Sequence, residues 1–316
     1  MALAAALLAG LAQPQEIPKD YGRPPVPRVV AYVQVALRNG DLASAEAMAR
    51  QYRRLNGDTP EALEALSWVA RGQLAAGRSD DAVKLAEDIQ RSSQAALATR
   101  TLDSEPQLPL ALGAAYEVQA EALFKRHQRT EAIQLLQTAL KTHRGTSLVG
   151  RLQKNINLMT LEGKRMPPLR AAEWLGTKGD LSSLQGKVLL LFFWAHWCSD
   201  CKLQAPVIAK LAAELGPKGL TILAPTERYG YTMDDEHAPP AKENAFIQKV
   251  FARYYAGLSN VKVPLDAANF ERFGASTTPT LVLVDRRGIV RLYHPGLMDE
   301  RSLRAAAEAL LMRDNS

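Results

Sequence analysis

The sequence of 316 residues contains only two cysteines, Cys198 and Cys201, which is too few for the disulfide framework of a small secreted domain. Aromatic residues make up only 6% of the chain. No apolar run approaches the roughly 18 residues that suggest a membrane-spanning helix. The net charge of +6 comes from basic residues that are spread along the chain, which argues against a nucleic-acid surface. The length predicts about two globular domains.

The first residues, MALAAALLAGLA, are small and apolar and end in a candidate cleavage site, as in a secretory signal. We interpret residues 1–12 as the remnant of a signal peptide and expect export to the periplasm. No lysine or arginine precedes this run, the first being Lys19. A frayed alanine-rich helix and a cytoplasmic location therefore stay open as the alternative.

Residues 26–160 carry apolar side chains at helical spacing with almost no strand pattern, which predicts an all-α domain. One turn motif occurs three times, at 38–49, 75–86 and 124–135, with an alanine at the same place in each: Ala45, Ala82 and Ala132. This pattern resembles tetratricopeptide repeats, which are antiparallel helix pairs with a period of about 34 residues. Such repeats could form a docking surface for a partner, and a generic helical bundle is the alternative.

Glycine and proline appear at residues 161–170 and the helical periodicity stops, so we place a domain boundary there and a second domain at 165–316. Continuous apolar runs at 187–195 and 219–225 predict buried strands. The pattern also predicts two strands within 280–296 and helices at 201–215 and 299–313, with Pro206 kinking or breaking the first helix. This order predicts an α/β domain with a mixed sheet flanked by helices.

The two cysteines lie where the strand at 187–195 runs into the following helix. At a helix N-terminus, unpaired backbone N–H groups and the helix dipole favour a thiolate, here that of Cys198. A spacing of three residues brings both sulfurs close enough for a disulfide. Cys198 can then attack a disulfide and Cys201 can resolve the mixed intermediate, which predicts a redox-active pair.

Three motifs in order make residues 165–314 similar to the thioredoxin-like thiol–disulfide oxidoreductases of the TlpA/ResA type. They are LSSLQGKVLLLFFWAHWCSDC, Pro206 five residues after the second cysteine, and FGASTTPTLVLVDRRGIV. The resemblance implies a thioredoxin fold and disulfide exchange with protein clients and a redox donor protein. It also implies that Trp197 stacks over the active sulfur, that Thr278 pairs its backbone with the client chain, and that Pro279 is cis. No organic cofactor is implied, because the Cys198–Cys201 disulfide itself carries the electrons.

The chain departs from this family pattern in three places. Ser199-Asp200 stands where members often have a proline before the second cysteine, and the Asp200 carboxylate should disfavour the thiolate, which favours a reductase. Phe192 occupies the place of the buried acid of thioredoxin, so we predict Glu227 as the acid/base group. Residues 226–255 exceed the minimal fold and form either a segment that shapes partner choice or a plain surface insertion.

Two other functions use the same residues. Cys198 and Cys201 could bind copper or another soft metal, with His196 and with His237 or His294 as further ligands. Alternatively, the helical domain could act as a scaffold beside a vestigial redox domain. The redox interpretation requires no metal, and Trp194 is then a core residue.

Overall fold

From residue 26 to residue 160 the chain is helical in the structure, a computed structural model that describes residues 26–258 and 260–313. The predicted signal remnant at 1–12 lies outside these residues. Within the described part of the chain up to residue 160, seven helices follow one another, and the predicted all-α domain is confirmed. They are α1 (Arg28–Arg38), α2 (Leu42–Asn56), α3 (Pro60–Ala75), α4 (Ser79–Ala96), α5 (Gln107–Lys125), α6 (Arg129–Thr142) and α7 (Leu148–Thr160).

Three helical hairpins, α1–α2, α3–α4 and α5–α6, share one turn geometry. The middle residue of each three-residue turn has a left-handed backbone, with φ of 77° at Gly40, 78° at Gly77 and 62° at His127. In each turn the next N–H donates to the carbonyl five residues earlier, as from Asp41 to Ala36. The three alanines of the repeated motif are fully buried on the second helix of their hairpins. The sequence repeat therefore corresponds to a structural repeat, and its likeness to tetratricopeptide repeats stays a prediction.

The carboxy-terminal half is built on a mixed sheet, which confirms the predicted α/β class. Four strands lie in the order β3–β2–β5–β6, where β2 and β3 are parallel and the other neighbours are antiparallel. A two-stranded antiparallel pair, β1–β4, lies beside it. The elements are β1 (Glu173–Leu175), β2 (Val188–Phe193), α8 (Ser199–Leu215), β3 (Leu220–Leu223), α9 (Pro240–Tyr254), β4 (Val263–Leu265), α10 (Ala267–Phe273), β5 (Thr280–Val284), β6 (Val290–Pro295) and α11 (Glu300–Arg313).

Strand β2 is buried on both faces because helices cover both sides of the sheet. Val188, Leu190 and Phe192 point into a core with α8, α9 and α11, whereas the alternate residues of β2 point into a second core with Phe270 and Phe273 of α10. This explains why the sequence of β2 is a continuous apolar run instead of an alternating one. The end of β2 is thereby fixed in the middle of the domain, where the chain turns into α8.

Helix α8 runs without interruption through Pro206, so the predicted local break is wrong. A proline inside a helix removes one backbone hydrogen bond and costs about 3 kcal/mol. Beyond Pro206, the buried side chains of Ile208, Leu211 and Leu215 hold the helix against the sheet. Their burial offsets the cost, since each fully buried apolar side chain contributes about 1.5–3 kcal/mol.

Candidate functional site

Cys198 is the N-cap of α8 and forms a disulfide with Cys201, one turn into the helix. The Cys198 Sγ accepts a hydrogen bond from the Cys201 N–H at 3.0 Å, and the two Cα atoms are 5.3 Å apart. Cys198 retains 3% exposure and Cys201 retains none. After reduction, the helix N-terminus favours a thiolate on Cys198, and the inner sulfur of Cys201 is positioned to displace a client from it. The predicted order of the two cysteines therefore fits their places in the helix.

The segment before β5 lies directly against Cys198. The peptide bond between Thr278 and Pro279 is cis, as predicted, and the Thr278 carbonyl oxygen is 3.3 Å from the Cys198 Sγ. Among the described residues, the Thr278 N–H forms no backbone hydrogen bond. A peptide lying beside Thr278 could pair with this N–H while its own sulfur faces Cys198.

The two tryptophans of the motif have different surroundings. Trp194 is fully buried and donates from Nε1 to the Ala224 carbonyl at 3.0 Å, so its prediction as a core residue is confirmed. Trp197 is half-buried beside Cys198 in the chain, and its ring meets the edge of Tyr229 at 5.5 Å. Trp197 thus contacts the 226–255 segment through the ring of Tyr229.

Glu227 hydrogen-bonds with Tyr229, the residue whose ring contacts Trp197. Burial raises the pKa of Glu227 to about 8, the Tyr229 hydrogen bond opposes the rise, and the nearby carboxylates of Glu271 and Glu243 add to it. The carboxyl group is therefore mostly protonated at neutral pH. No hydrogen bond joins Glu227 to either cysteine among the described residues, so its role as proton donor stays a prediction.

A buried pair, His196 and Glu243, was not predicted as a pair from the sequence. The His196 Nε2 lies 3.3 Å from Glu243 Oε1, and both side chains are almost fully buried. Burial, with a smaller contribution from Lys202, lowers the pKa of His196 to about 4. The imidazole is thus neutral at physiological pH, and rings of the 226–255 segment surround it: Tyr229, Tyr231 and Phe246 at 5.1–5.5 Å.

Glu243, in the first turn of α9, also fixes the loop that carries Tyr229. Its carboxylate accepts the backbone N–H groups of Tyr229 at 2.5 Å and Gly230 at 2.9 Å. The 226–255 segment is therefore packed on the active-site loop through buried groups. The sequence marks each residue separately, because His196 precedes Trp197 and Glu243 lies in the first turn of an amphipathic helix. Only the fold shows that the two side chains meet.

Gln204 is a second residue that the sequence analysis missed. It lies one turn after Cys201, is 1% exposed, and binds both backbone groups of Met298. Its Nε2 donates to the Met298 carbonyl at 3.1 Å, and its Oε1 accepts from the Met298 N–H at 2.9 Å. This pair of hydrogen bonds ties α8 to the loop before α11 and holds the cysteine-bearing turn in place.

The three histidines considered as metal ligands do not converge on the cysteines. His196 is enclosed by rings, His237 is exposed, and His294 Nε2 hydrogen-bonds with the Leu297 carbonyl at 2.9 Å. In residues 26–258 and 260–313, no group of three or more His, Cys, Asp or Glu side chains has the geometry to hold a metal ion. Asp200 is exposed in the first turn of α8.

The fold and the site together define the class of this domain. It is a thioredoxin-like disulfide protein, because it combines a mixed sheet with a Cys-x-x-Cys pair at a helix N-terminus and an adjacent cis-proline. The Redoxin family matches residues 161–311. Thioredoxin-like protein YneN of Bacillus subtilis (strain 168) is 25% identical over 142 residues, which are 45% of this chain and 76% of that protein. Thiol-disulfide oxidoreductase ResA of Bacillus thuringiensis (strain Al Hakam) is 27% identical over 128 residues, 40% of this chain and 66% of that protein.

A solved structure of MTB dsbF, described in its mixed oxidised and reduced forms, is 24% identical, with a TM-score of 0.37 over 45% of this chain and 94% of that chain. The carboxy-terminal half is a thioredoxin-like disulfide oxidoreductase domain, similar to proteins of the TlpA/ResA type.

Proposed function

We propose that the chain reduces disulfides of protein clients outside the cytoplasm, with Cys198 as the nucleophile and Cys201 as the resolving thiol. The observation that carries this proposal is the 3.3 Å distance between the Cys198 Sγ and the Thr278 carbonyl oxygen. It sets the reactive sulfur beside a backbone edge at which a client peptide can bind as an added strand.

The exchange takes place in two balanced steps. The Cys198 thiolate attacks one sulfur of the client disulfide, so that a mixed disulfide forms and the client's other sulfur leaves as a thiolate that takes a proton. The Cys201 thiolate then attacks the Cys198 Sγ and releases the second client thiol. The client gains two electrons and two protons, and the protein is left with its Cys198–Cys201 disulfide, which a dithiol of a donor protein must reduce again.

The reducing direction is supported by the charge near the thiols. Asp200, exposed in the first turn of α8, is a carboxylate two residues from Cys198 and next to Cys201. A nearby negative charge disfavours a thiolate, and a less stable thiolate makes the dithiol a better reductant. The helix N-terminus acts in the opposite direction, so the measured potential decides the direction.

The helical half is proposed to dock a client or the donor protein. Its repeated hairpins offer surfaces on which side chains such as Tyr32 and Leu55 are 61% and 76% exposed. No helix in the described ranges is long and apolar enough to cross a bilayer. We propose export on the basis of the signal-like residues 1–12 and of the relatives' family.

The decisive experiment is the reduction potential of the Cys198/Cys201 pair, measured in glutathione or dithiothreitol buffers by tryptophan fluorescence. Trp197 beside the disulfide, and Trp194 near it in the core, should report the change. A reversible two-electron couple near about −270 mV supports a reductase, whereas one near about −120 mV indicates a disulfide donor. The absence of a reversible couple would overturn the proposed activity.

A further inference from the structure

The segment that presents Thr278 is supported from behind by the helical half of the molecule. Gly274 ends α10 with a φ of +59°, and a Cβ atom added there would lie 2.3 Å from the Lys154 backbone nitrogen and 2.6 Å from its Cα. Both are backbone atoms of α7, which cannot move aside as the end of a side chain can. The two halves thus meet backbone to backbone, four residues before Thr278.

Two further contacts lie on the same face of α7. The Asn157 Nδ2 donates to the Arg272 carbonyl at 3.4 Å, and a Cβ on Gly150 would be 3.5 Å from the Ser276 Cβ. Positions 150, 154 and 157 share one side of a helix. We call these contacts the α7 interface, which consists of Gly150, Lys154 and Asn157 against Arg272, Gly274 and Ser276.

Between the α7 interface and Cys198 the chain has little freedom. Thr280 Oγ1 donates to the Thr277 carbonyl at 2.6 Å, and the Pro279 carbonyl accepts the Gly296 N–H at 2.7 Å. The buried Tyr293 hydroxyl lies 2.8 Å from the Phe273 carbonyl and 3.1 Å from that of Gly274. A displacement at Gly274 would therefore be passed along this short segment to Thr278.

An adjacent side of α7 is fixed to the helical repeats through one largely buried carboxylate, Glu117 of α5. This group binds Arg151, Lys154 and Asn155 of α7 at 2.5–2.8 Å, and Arg71 of α3 at 3.1 Å. Three cations and an amide around one largely buried carboxylate are costly to separate, because Glu117 left alone would be an unpaired charge with little access to water. The position of α7 is thus set by α3 and α5.

We propose that α7 is a positioning element for disulfide exchange, through which the helical half holds the Thr278 edge at its distance from Cys198, with Gly274 as the positioning residue. This inference rests on the proposed function, and it assigns the helical half a role in the reaction besides docking. A partner bound to the repeats could change client binding at Thr278 by shifting α7.

The test uses Gly274→Ala in the full chain, with Gly288→Ala as the matched control. Gly288 has a φ of +77° and no atom within 4 Å of an added Cβ, so both variants carry left-handed strain but only Gly274→Ala collides with α7. Reduction of a disulfide-bonded peptide, which needs the Thr278 edge, is compared with reduction of dithionitrobenzoate, a small disulfide that does not. We expect Gly274→Ala to lower kcat/KM for the peptide about tenfold relative to Gly288→Ala, with less than about twofold change for the small disulfide.

A second pair of variants covers the case in which Gly274→Ala does not fold. Gly150 is half-buried on α7, where Ala would make an ordinary contact with Ser276 and Phe would push against it. We expect Gly150→Phe, but not Gly150→Ala, to reduce the peptide rate selectively and to speed amide hydrogen exchange at 275–281. Unchanged peptide-to-small-disulfide ratios in both pairs would overturn the inference and leave the proposed function standing. A wild-type chain inactive on both substrates would overturn both.

Discussion

His196 Nε2 and Glu243 Oε1 lie 3.3 Å apart in a site closed by aromatic rings, directly before the Trp197-Cys198 pair. The contact joins the loop that carries the cysteine to the first turn of α9. It also explains how a segment longer than the minimal fold is held against the active site instead of extending into solvent. Because burial lowers the pKa of the His196 imidazole, the site couples local structure to pH.

We expect His196 to make the fold less stable in acid. Its pKa is about 4 in the folded chain and about 6.5 in the unfolded chain, so between these values the unfolded state binds more protons. The free energy of unfolding is therefore unaffected by His196 above pH 6.5. As the pH falls from 6.5 towards 4, protonation of His196 in the unfolded chain lowers the free energy of unfolding by up to about 3 kcal/mol. Urea unfolding between pH 4.5 and 7.5 should show this slope in the wild type and a flatter one in His196→Gln. The exposed His237→Gln is the control, and equal slopes in all three proteins would contradict the prediction.

Glu227 should give the exchange rate an inflection near pH 8, since that is the pKa to which burial raises it. Below this pH the protonated carboxyl group can donate a proton, and above it the donor is lost, so the rate that depends on this donor falls. Stopped-flow measurements of client reduction should show the inflection in the wild type and not in Glu227→Gln, which should react about tenfold or more slowly at pH 7.

The neighbouring Glu271 supplies a control for that experiment. Its charge contributes to the raised pKa of Glu227, and its own side chain is exposed. Glu271→Gln should therefore move the inflection to lower pH without abolishing it. An inflection that survives in Glu227→Gln would assign proton transfer to another group.

The two cysteines should behave differently when each is replaced by serine. Cys201→Ser keeps the nucleophile and loses the resolving thiol, so it should accumulate a mixed disulfide with a client peptide through Cys198. Cys198→Ser should form no such adduct, because Cys201 has no exposed surface. Intact-protein mass spectrometry under non-reducing conditions measures both. An adduct on Cys201 in the Cys198→Ser variant would reverse the assignment.

His127→Gly should stabilise the helical half by about 1 kcal/mol. His127 has a φ of 62° at the turn position that glycine occupies in the two other hairpins, as Gly40 and Gly77. A left-handed backbone costs a non-glycine residue roughly 1–2 kcal/mol. Glycine removes this cost, but it also gives the unfolded chain more conformational freedom, which cancels part of the gain in stability. Urea unfolding measures the gain, and Gly40→Ala should lose a similar amount. Equal stability of wild type and His127→Gly would show that the three turns are not equivalent.

Docking by the repeats predicts that their removal lowers activity on a protein client more than activity on a small disulfide. Removing residues 26–146 keeps α7 but takes away the α3 and α5 side chains that position it, whereas a small disulfide does not need the Thr278 edge, so its reduction should continue within about twofold. Docking predicts that activity on the native client falls about tenfold or more beyond any loss measured with a disulfide-bonded peptide. A cooperative unfolding transition must be recorded first, to show that the shortened chain is folded. Equal losses on both substrates, or none on either, would remove the docking proposal.

Much of this architecture could be predicted because the signals are local. The buried strand β2, the helix start at Cys198 and the two strands within 280–296 each follow from a few adjacent residues. Of the kink or break predicted at Pro206, the break does not occur, because packing of α8 on the sheet outweighs a local preference. The strands β1 and β4 have three residues each and gave no periodic pattern.

The unpredicted contacts join residues far apart in the sequence. His196 meets Glu243 across 47 positions, and Asn157 meets Arg272 across 115. Neither side chain has a local pattern that names its partner. The family resemblance could thus place Thr278 and Pro279 beside Cys198 and Cys201, whereas the groups that hold this site in place became visible only in three dimensions.

The close approach of Gly274 to Lys154 bears on how the chain can be divided and recombined. The family match begins at residue 161, yet a domain cut there would leave α10 without the helix that covers it. A redox unit transferred to another repeat protein should carry α7 with it and be joined near residue 147. The natural module for protein engineering therefore starts one helix earlier than the boundary of the homologous domain.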